Sequence, residues 1–303
     1  MLNFIKGLLI GIANIIPGVS GGTFALILRI YTRLINSISR INLRLIKTLF
    51  TGGAGEALKE ADLIFLFQVL VGALAGIAIF TWPLGYFMNA FPGYTLSFFL
   101  GLIAASIHIP LNMIEDRKVS CFILGGAGFA LVILLSLFSP SSAKEVSLLL
   151  IFFSGIIGIS AMVLPGLSGS AVMLILGVYG LIIDNIREFT SSLSLSSFIF
   201  LSVFGLGCIC GLVFFVRLMK LLLNKKKDGT LSFLTGMVLA SLYFLWPFKD
   251  YPADSIDLSG GINRLPGSFG EAGMYFLFVI LGIALSIGIE RLGKKGSISR
   301  EDN

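Results

Sequence analysis

The chain is poor in charge. Of its 303 residues only 13% are Asp, Glu, Lys or Arg, against about a quarter in an average soluble domain. It has one histidine, His108, and three cysteines, Cys121, Cys208 and Cys210. A lone histidine and a Cys-x-Cys pair in apolar sequence offer no zinc-ligand spacing, and an odd set of thiols in apolar runs reads as buried free cysteines. There is no Ser-His-Asp set, no metal cluster and no nucleotide loop. No metal or cofactor is therefore expected, and no soluble domain is available to hydrolyse ATP. The net charge of +6 does not point to nucleic acid, because the basic residues fall in short loops between apolar runs.

What is abundant is apolar sequence. Hydrophobic residues make up 56% of the chain and the mean hydropathy is +0.99, the composition of an integral membrane protein. Runs near the length needed to span, about 20 residues, cover 63–82, 94–111, 120–138, 197–216, 230–247 and 272–291. Trp82, Tyr94 and Trp246 lie at the ends of such runs and read as interfacial anchors. The opening MLNFIKGLLIGIANII has a signal-like outline but no small-x-small cleavage site, so it is expected to be retained.

Two further regions are built differently. Segments 2–16 and 24–36 are each short for a span and are joined by PGVSGGT, Pro17 to Thr23. Segments 148–164 and 171–183 are joined by PGLSGSA, Pro165 to Ala171. Short apolar pieces interrupted by Pro and Gly point to re-entrant or broken helices. Pro17, Gly18, Ser20, Gly21 and Tyr31 recur as Pro165, Gly166, Ser168, Gly169 and Tyr179 at an offset of 148. Gly72, Gly76, Thr95, Ser97, Gly101 and Ser106 recur as Gly207, Gly211, Thr230, Ser232, Gly236 and Ser241 at an offset of 135. The chain therefore reads as a duplication, with halves at 1–140 and 147–295 forming one integrated membrane domain. Basic and non-basic loops alternate, which by the positive-inside rule places both ends in the cytoplasm. Each half holds one motif hairpin and three spans, an odd number of crossings. The expected fold is thus all-α, with two repeats of inverted topology, the build of a secondary transporter.

The motif has a physical use. Proline ends one half-helix, glycines allow tight turns, and Ser20 or Thr23 can cap the next half-helix. Free N–H groups at that helix start, with the hydroxyls of Ser20, Thr23, Ser168 and Ser170, suit a phosphate or carboxylate. The plainer reading is that Gly and Ser only permit tight helix packing. Accessory candidates are Arg29 and Tyr31 after the first motif, Tyr179 after the second, and His108 in a span. For Arg29 the plainer role is a snorkelling interface arginine, and for His108 a hydrogen-bonded structural side chain.

At these residues the chain resembles a known family. NIIPGVSGGTFALILRIY (14–31) and MVLPGLSGSAVMLILGVY (162–179) are similar to the paired signatures of the polyprenyl-phosphate transporter family, long catalogued as a domain of unknown function. The resemblance implies a multi-pass protein of a prokaryotic cytoplasmic membrane, a flippase that returns undecaprenyl phosphate or a similar lipid to the inner leaflet for envelope glycan synthesis. It implies a head-group site formed by Pro17, Gly18, Ser20, Gly21, Gly22 and Thr23 with Pro165, Gly166, Ser168, Gly169 and Ser170. The partners implied are the lipid and the membrane; because the membrane potential opposes inward movement of a negative charge, coupling to a proton or cation is expected as well. One departure stands out: Arg29 occupies the place of Gly177. A membrane polyprenyl-diphosphate phosphatase has a similar P-G-x-S motif but carries arginine where this chain has Gly21 and Gly169, and it needs intramembrane carboxylates; Glu56 and Glu60 lie in a loop. The same anion-binding loops would also serve a small-anion channel or exporter, and tight Gly/Ser packing alone would serve a membrane scaffold.

Overall fold

The computed structural model describes residues 2–16, 19–42, 45, 55, 61–137, 147–250 and 261–298. It is almost wholly helical. In chain order the helices are α1 (Leu2–Ile15), α2 (Gly21–Ile27), α3 (Tyr31–Ser39), α4 (Leu63–Ala90), α5 (Pro92–Ser106), α6 (His108–Leu111), α7 (Val119–Ser136), α8 (Leu148–Val163), α9 (Gly169–Ile175), α10 (Tyr179–Ser192), α11 (Leu195–Lys225), α12 (Lys227–Phe244) and α13 (Phe269–Ile298). Among the described residues four stretches are long and apolar enough to cross a membrane: α4, α5 with α6, α7 and α11. The pair α9 and α10 makes a fifth if it is counted as one broken span, bent by 106°. α1 and α8 are shorter apolar helices that lead into the two motifs.

Backbone groups cannot go unpaired in hydrocarbon, so helices close their own hydrogen bonds and must then find one another without a hydrophobic drive. Glycine supplies the means. α1 lies along α4 with Gly7 and Gly11 against the backbone of Val69 and Ala73, and Gly72 and Gly76 against that of Phe4 and Leu8. α8 lies along α11 through Gly155, Gly207 and Gly211 in the same manner. The other two close pairs join early and late parts of the chain. α5 packs on α13, with Gly101 against Val279 and Gly282 against Phe98. α7 packs on α12, with Gly128 against Phe233 and Gly236 against Gly125. Buried Ser106 and Ser286 hydroxyls, 2.8 Å apart, add a polar link across α5 and α13. A Cβ at Gly236 would run into the Gly125 carbonyl. Gly236→Ala is therefore expected to cost about 1–3 kcal/mol, as overpacking does. Gly85→Ala, where a Cβ meets nothing within 4 Å, should show no comparable drop in melting temperature in detergent.

Three details depart from the sequence reading. α4 does not stop near Trp82 but continues through Pro83 to Ala90. At 1.5 Å per residue Trp82 stands about 28 Å along it, one hydrocarbon thickness from its start. Its exposed ring stacks on Tyr86, at 6.4 Å between centroids. Tyr94 joins an aromatic cluster instead, 5.0 Å from both Tyr275 and Phe278. The segment after α12 makes a two-stranded antiparallel ribbon, β1 (Lys249–Asp250) with β2 (Ile262–Asn263), tied down by Trp246 Nε1–H donating to the Arg264 carbonyl at 2.8 Å.

Candidate functional site

The two motifs meet. Ser20 sits in extended backbone and N-caps α2, its Oγ accepting the Thr23 N–H at 3.2 Å. That capping turn leaves the Ser20 and Thr23 hydroxyls side by side, 3.1 Å apart. The N–H of Gly166 in the second motif donates to both, at 3.2 Å to Ser20 Oγ and 2.9 Å to Thr23 Oγ1. Ser20 Oγ–H donates to the Leu164 carbonyl at 3.2 Å. Gly22 lies against the backbone of Val163, Leu164 and Pro165, where a Cβ would come within 2.7 Å of the Val163 carbonyl oxygen. Gly166 turns the second loop with φ +80°, a left-handed conformation that glycine adopts freely. Pro17 and Gly18 lie outside the described residues.

The copies are alike in sequence and unlike in surroundings. Every residue of α2 is buried, and Ser20 and Thr23 are 2% and 0% exposed. In α9 only Gly169 and Val172 are buried, and Ser170 is exposed. Ser168 stands at the N-cap of α9 but makes no capping bond; its hydroxyl pairs with that of Ser170 at 2.7 Å. The first loop's hydroxyls are thus spent on the second loop, while the second loop's hydroxyls pair with each other, Ser170 exposed and Ser168 half-buried. Pro165 is buried, and Tyr179 is half-buried at the start of α10. Tyr31 is buried with no partner for its hydroxyl among the described residues.

Asn14, which sequence reasoning passed over, accepts the Gly21 N–H at 2.9 Å. Its place in the NIIPG signature was the available signal. It also fills the space beside Gly21: a Cβ there would lie 2.8 Å from the Asn14 amide. A Cβ at Gly169 would lie 2.8 Å from the Gly158 carbonyl. At Gly169 the obstacle to the arginine of the phosphatase motif is backbone; at Gly21 it is the Asn14 side chain, which would have to leave the Gly21 N–H. Glu56 and Glu60 lie outside the described residues.

Arg29 and His108 are brought together by a residue that went unread. Glu290, near the end of α13, lies 3.7 Å from an Arg29 Nη and 3.0 Å from His108 Nε2. His108 opens the short α6, after a break at Ile107, and turns Nδ1 to the Ala105 carbonyl at 2.6 Å. A carbonyl only accepts, so Nδ1 carries a proton. The contact between Nε2 and the carboxylate then needs a second proton, on the ring or on Glu290. An acid in the last turn of an apolar run is a functional signal in a membrane protein, and it was there to be read. Arg29 itself has φ +57°, and its repeat partner Gly177 has φ +74°. The two turns are superposable in their bonds. Arg29 N–H donates to Leu26 O and Ile30 N–H to Ala25 O, as Gly177 N–H does to Leu174 O and Val178 N–H to Met173 O, all at 2.9–3.0 Å. This is the helix C-cap that favours glycine.

A family model described as undecaprenyl phosphate translocase-like matches residues 10–262. The chain belongs to that family. It is 33% identical over 307 aligned residues to a polyprenyl-phosphate transporter of Vibrio cholerae serotype O1, covering 96% of both chains. It is 30% identical over 258 residues to a polyprenyl-phosphate transporter of Staphylococcus aureus, covering 81% of this chain and 86% of the other. No solved structure matches it. The matched stretch contains both motifs, Arg29 and His108, and stops before Glu290.

Proposed function

We propose that this protein carries polyprenyl phosphate, undecaprenyl phosphate or a close relative, from the outer to the inner leaflet of the cytoplasmic membrane, returning the lipid carrier for reuse. The observation that carries the reading is the contact of two equivalent Gly/Ser loops, one sealed and one open. In this proposal the halves 1–140 and 147–295 are inverted repeats, supported by matched helix pairs: α1–α4 corresponds to α8–α11, and α5–α13 to α12–α7. Inverted repeats reach two-sided access by exchanging the conformations of their halves. A sealed first loop and an open second loop make one of the two states; the reverse makes the other. Ser168, Ser170 and the N–H groups at the start of α9 receive the phosphate in the first of these states, while the prenyl chain stays in lipid.

An anion crossing toward a negative interior moves against the membrane potential, and a compensating cation would offset that cost. The His108–Glu290 contact, which needs a proton, supplies a place for one. The test is leaflet exchange of fluorescent undecaprenyl phosphate in proteoliposomes. Wild type should accelerate exchange, and Ser168→Ala/Ser170→Ala should slow it by about tenfold or more, the equivalent of one lost hydrogen bond to a charged group. Absence of exchange by wild type under a pH gradient of either sign would sink the proposal.

A further inference from the structure

α7 packs along α12, α11 leads directly into α12, and α7 and α11 make no extensive contact with each other. Between them, bounded by the start of α12, runs a groove of about 990 Å³. Its walls are apolar: Leu124 from α7, Phe215, Leu218, Met219 and Leu222 from α11, and Phe233 from α12. Its charged lining comprises Lys118, Lys225, Lys226 and Lys227 together with Glu115, Asp116 and Asp228. It also reaches Leu164, whose carbonyl accepts the Ser20 hydroxyl. The groove therefore links a charged rim with an excess of lysine to Leu164, the residue before the second motif, whose carbonyl meets the first.

The charges at this rim are not balanced evenly. Lys118 pairs with Asp116 at 2.6 Å, and Lys227 pairs with Glu115. Asp228 accepts the backbone N–H groups of Glu115 and Asp116, at 3.1 and 3.0 Å, which fastens the loop before α7 to the start of α12. Those same bonds hold the Asp228 carboxyl below the usual carboxylate range. Lys225 and Lys226 form no ion pair among the described residues. Ordinary positive-inside lysines would explain a basic rim alone. They do not explain an apolar trough that carries the unpaired pair on its rim and Leu164 in its lining.

We infer that this groove is the lateral access path for a long-chain isoprenoid monophosphate, with the phosphate at Lys225 and Lys226 and the first isoprene units against Phe215, Leu218, Leu222 and Phe233. The inference rests on the transport reading and adds the route by which the lipid leaves or joins the inner leaflet. An anionic head with a single flexible chain matches a basic end and a narrow apolar trough. The shared chemistry, a phosphate on an apolar anchor, also belongs to phosphatidic acid, so the test separates the two.

Wild-type protein in phosphatidylethanolamine vesicles would be photolabelled with a diazirine-bearing undecaprenyl phosphate and the adducts mapped by mass spectrometry. Adducts are expected within 118–124 and 215–233. Excess undecaprenyl phosphate should suppress them at concentrations about tenfold below those needed with undecaprenol or phosphatidic acid. Lys225→Gln/Lys226→Gln should cut the labelling by about tenfold. Labelling spread evenly over lipid-facing helices such as α4, or competed equally by phosphatidic acid, would overturn the inference and leave an ordinary lipid crevice. Leaflet exchange in the same vesicles separates this from the transport reading. Exchange that persists in the double variant without groove labelling removes the groove and leaves transport standing. Specific, competed labelling without any exchange by wild type keeps the groove as a binding site and removes transport.

Discussion

Gly166→Ala is expected to lower stability by roughly 2–5 kcal/mol, the largest effect of a methyl group added at any described motif glycine. Two costs combine. The residue has φ +80°, which an L side chain adopts at a penalty of about 1–2 kcal/mol. Its new Cβ would press on the Met237 carbonyl and lie 3.1 Å from the Val238 nitrogen, backbone of α12 that cannot swing aside, at about 1–3 kcal/mol. Any retreat of the loop also stretches the Gly166 N–H bonds to Ser20 and Thr23. Thermal unfolding in detergent would show the loss directly. Gly205→Ala is the control, since a Cβ there meets nothing within 4 Å. Thr23→Val should fall between them, because it keeps the shape, removes the shorter acceptor and leaves Ser20 to hold Gly166. Equal melting temperatures for Gly166→Ala and Gly205→Ala would mean that the loops do not meet as described.

Much of this was legible in the sequence because it depends on short-range chemistry. Apolar runs locate the spans, and the Pro-Gly-x-Ser-Gly pattern locates the breaks, since proline and glycine act on the backbone where they stand. The glycines that repeat at fixed offsets, Gly72 with Gly207 and Gly101 with Gly236, turned out to be helix contact points. Partners were not legible. Ser20 and Ser168 are the same letter in the same motif, yet one caps its helix and grips the other loop while its copy pairs with Ser170. That difference is made by what packs on each loop. Asn14 and Glu290 carried a signal as residues, but what they bind, the Gly21 N–H and the Arg29–His108 pair, appears only once the chain is folded. The substitution of arginine for glycine at position 29 was visible, but its meaning lies in a backbone angle that no composition reports. The ribbon after α12 follows from two residue pairs, too short to leave a pattern.

That angle yields a prediction in which stability and transport move in opposite directions. Arg29→Gly should raise stability by about 1 kcal/mol, and leaflet exchange should fall by about tenfold or more. The backbone is already prepared for glycine, since Gly177 makes the same turn with the same bonds. Removing the side chain relieves a left-handed penalty of about 1–2 kcal/mol. The ion pair it gives up is 3.7 Å long and half exposed, worth about 0–1 kcal/mol. A strained residue persists where something other than stability retains it, and the feature particular to Arg29 is its hold on Glu290 beside His108. Arg29→Ala separates the causes, because it loses the charge and keeps the strained backbone. It should exchange lipid as slowly as Arg29→Gly and be no more stable than wild type. A double-mutant cycle with Glu290→Gln then assigns the transport defect: if the two residues act as one unit, the second change adds little to the first. Wild-type exchange by Arg29→Gly would instead return Arg29 to the role of an interface arginine, and the left-handed turn would stand as an uncompensated cost.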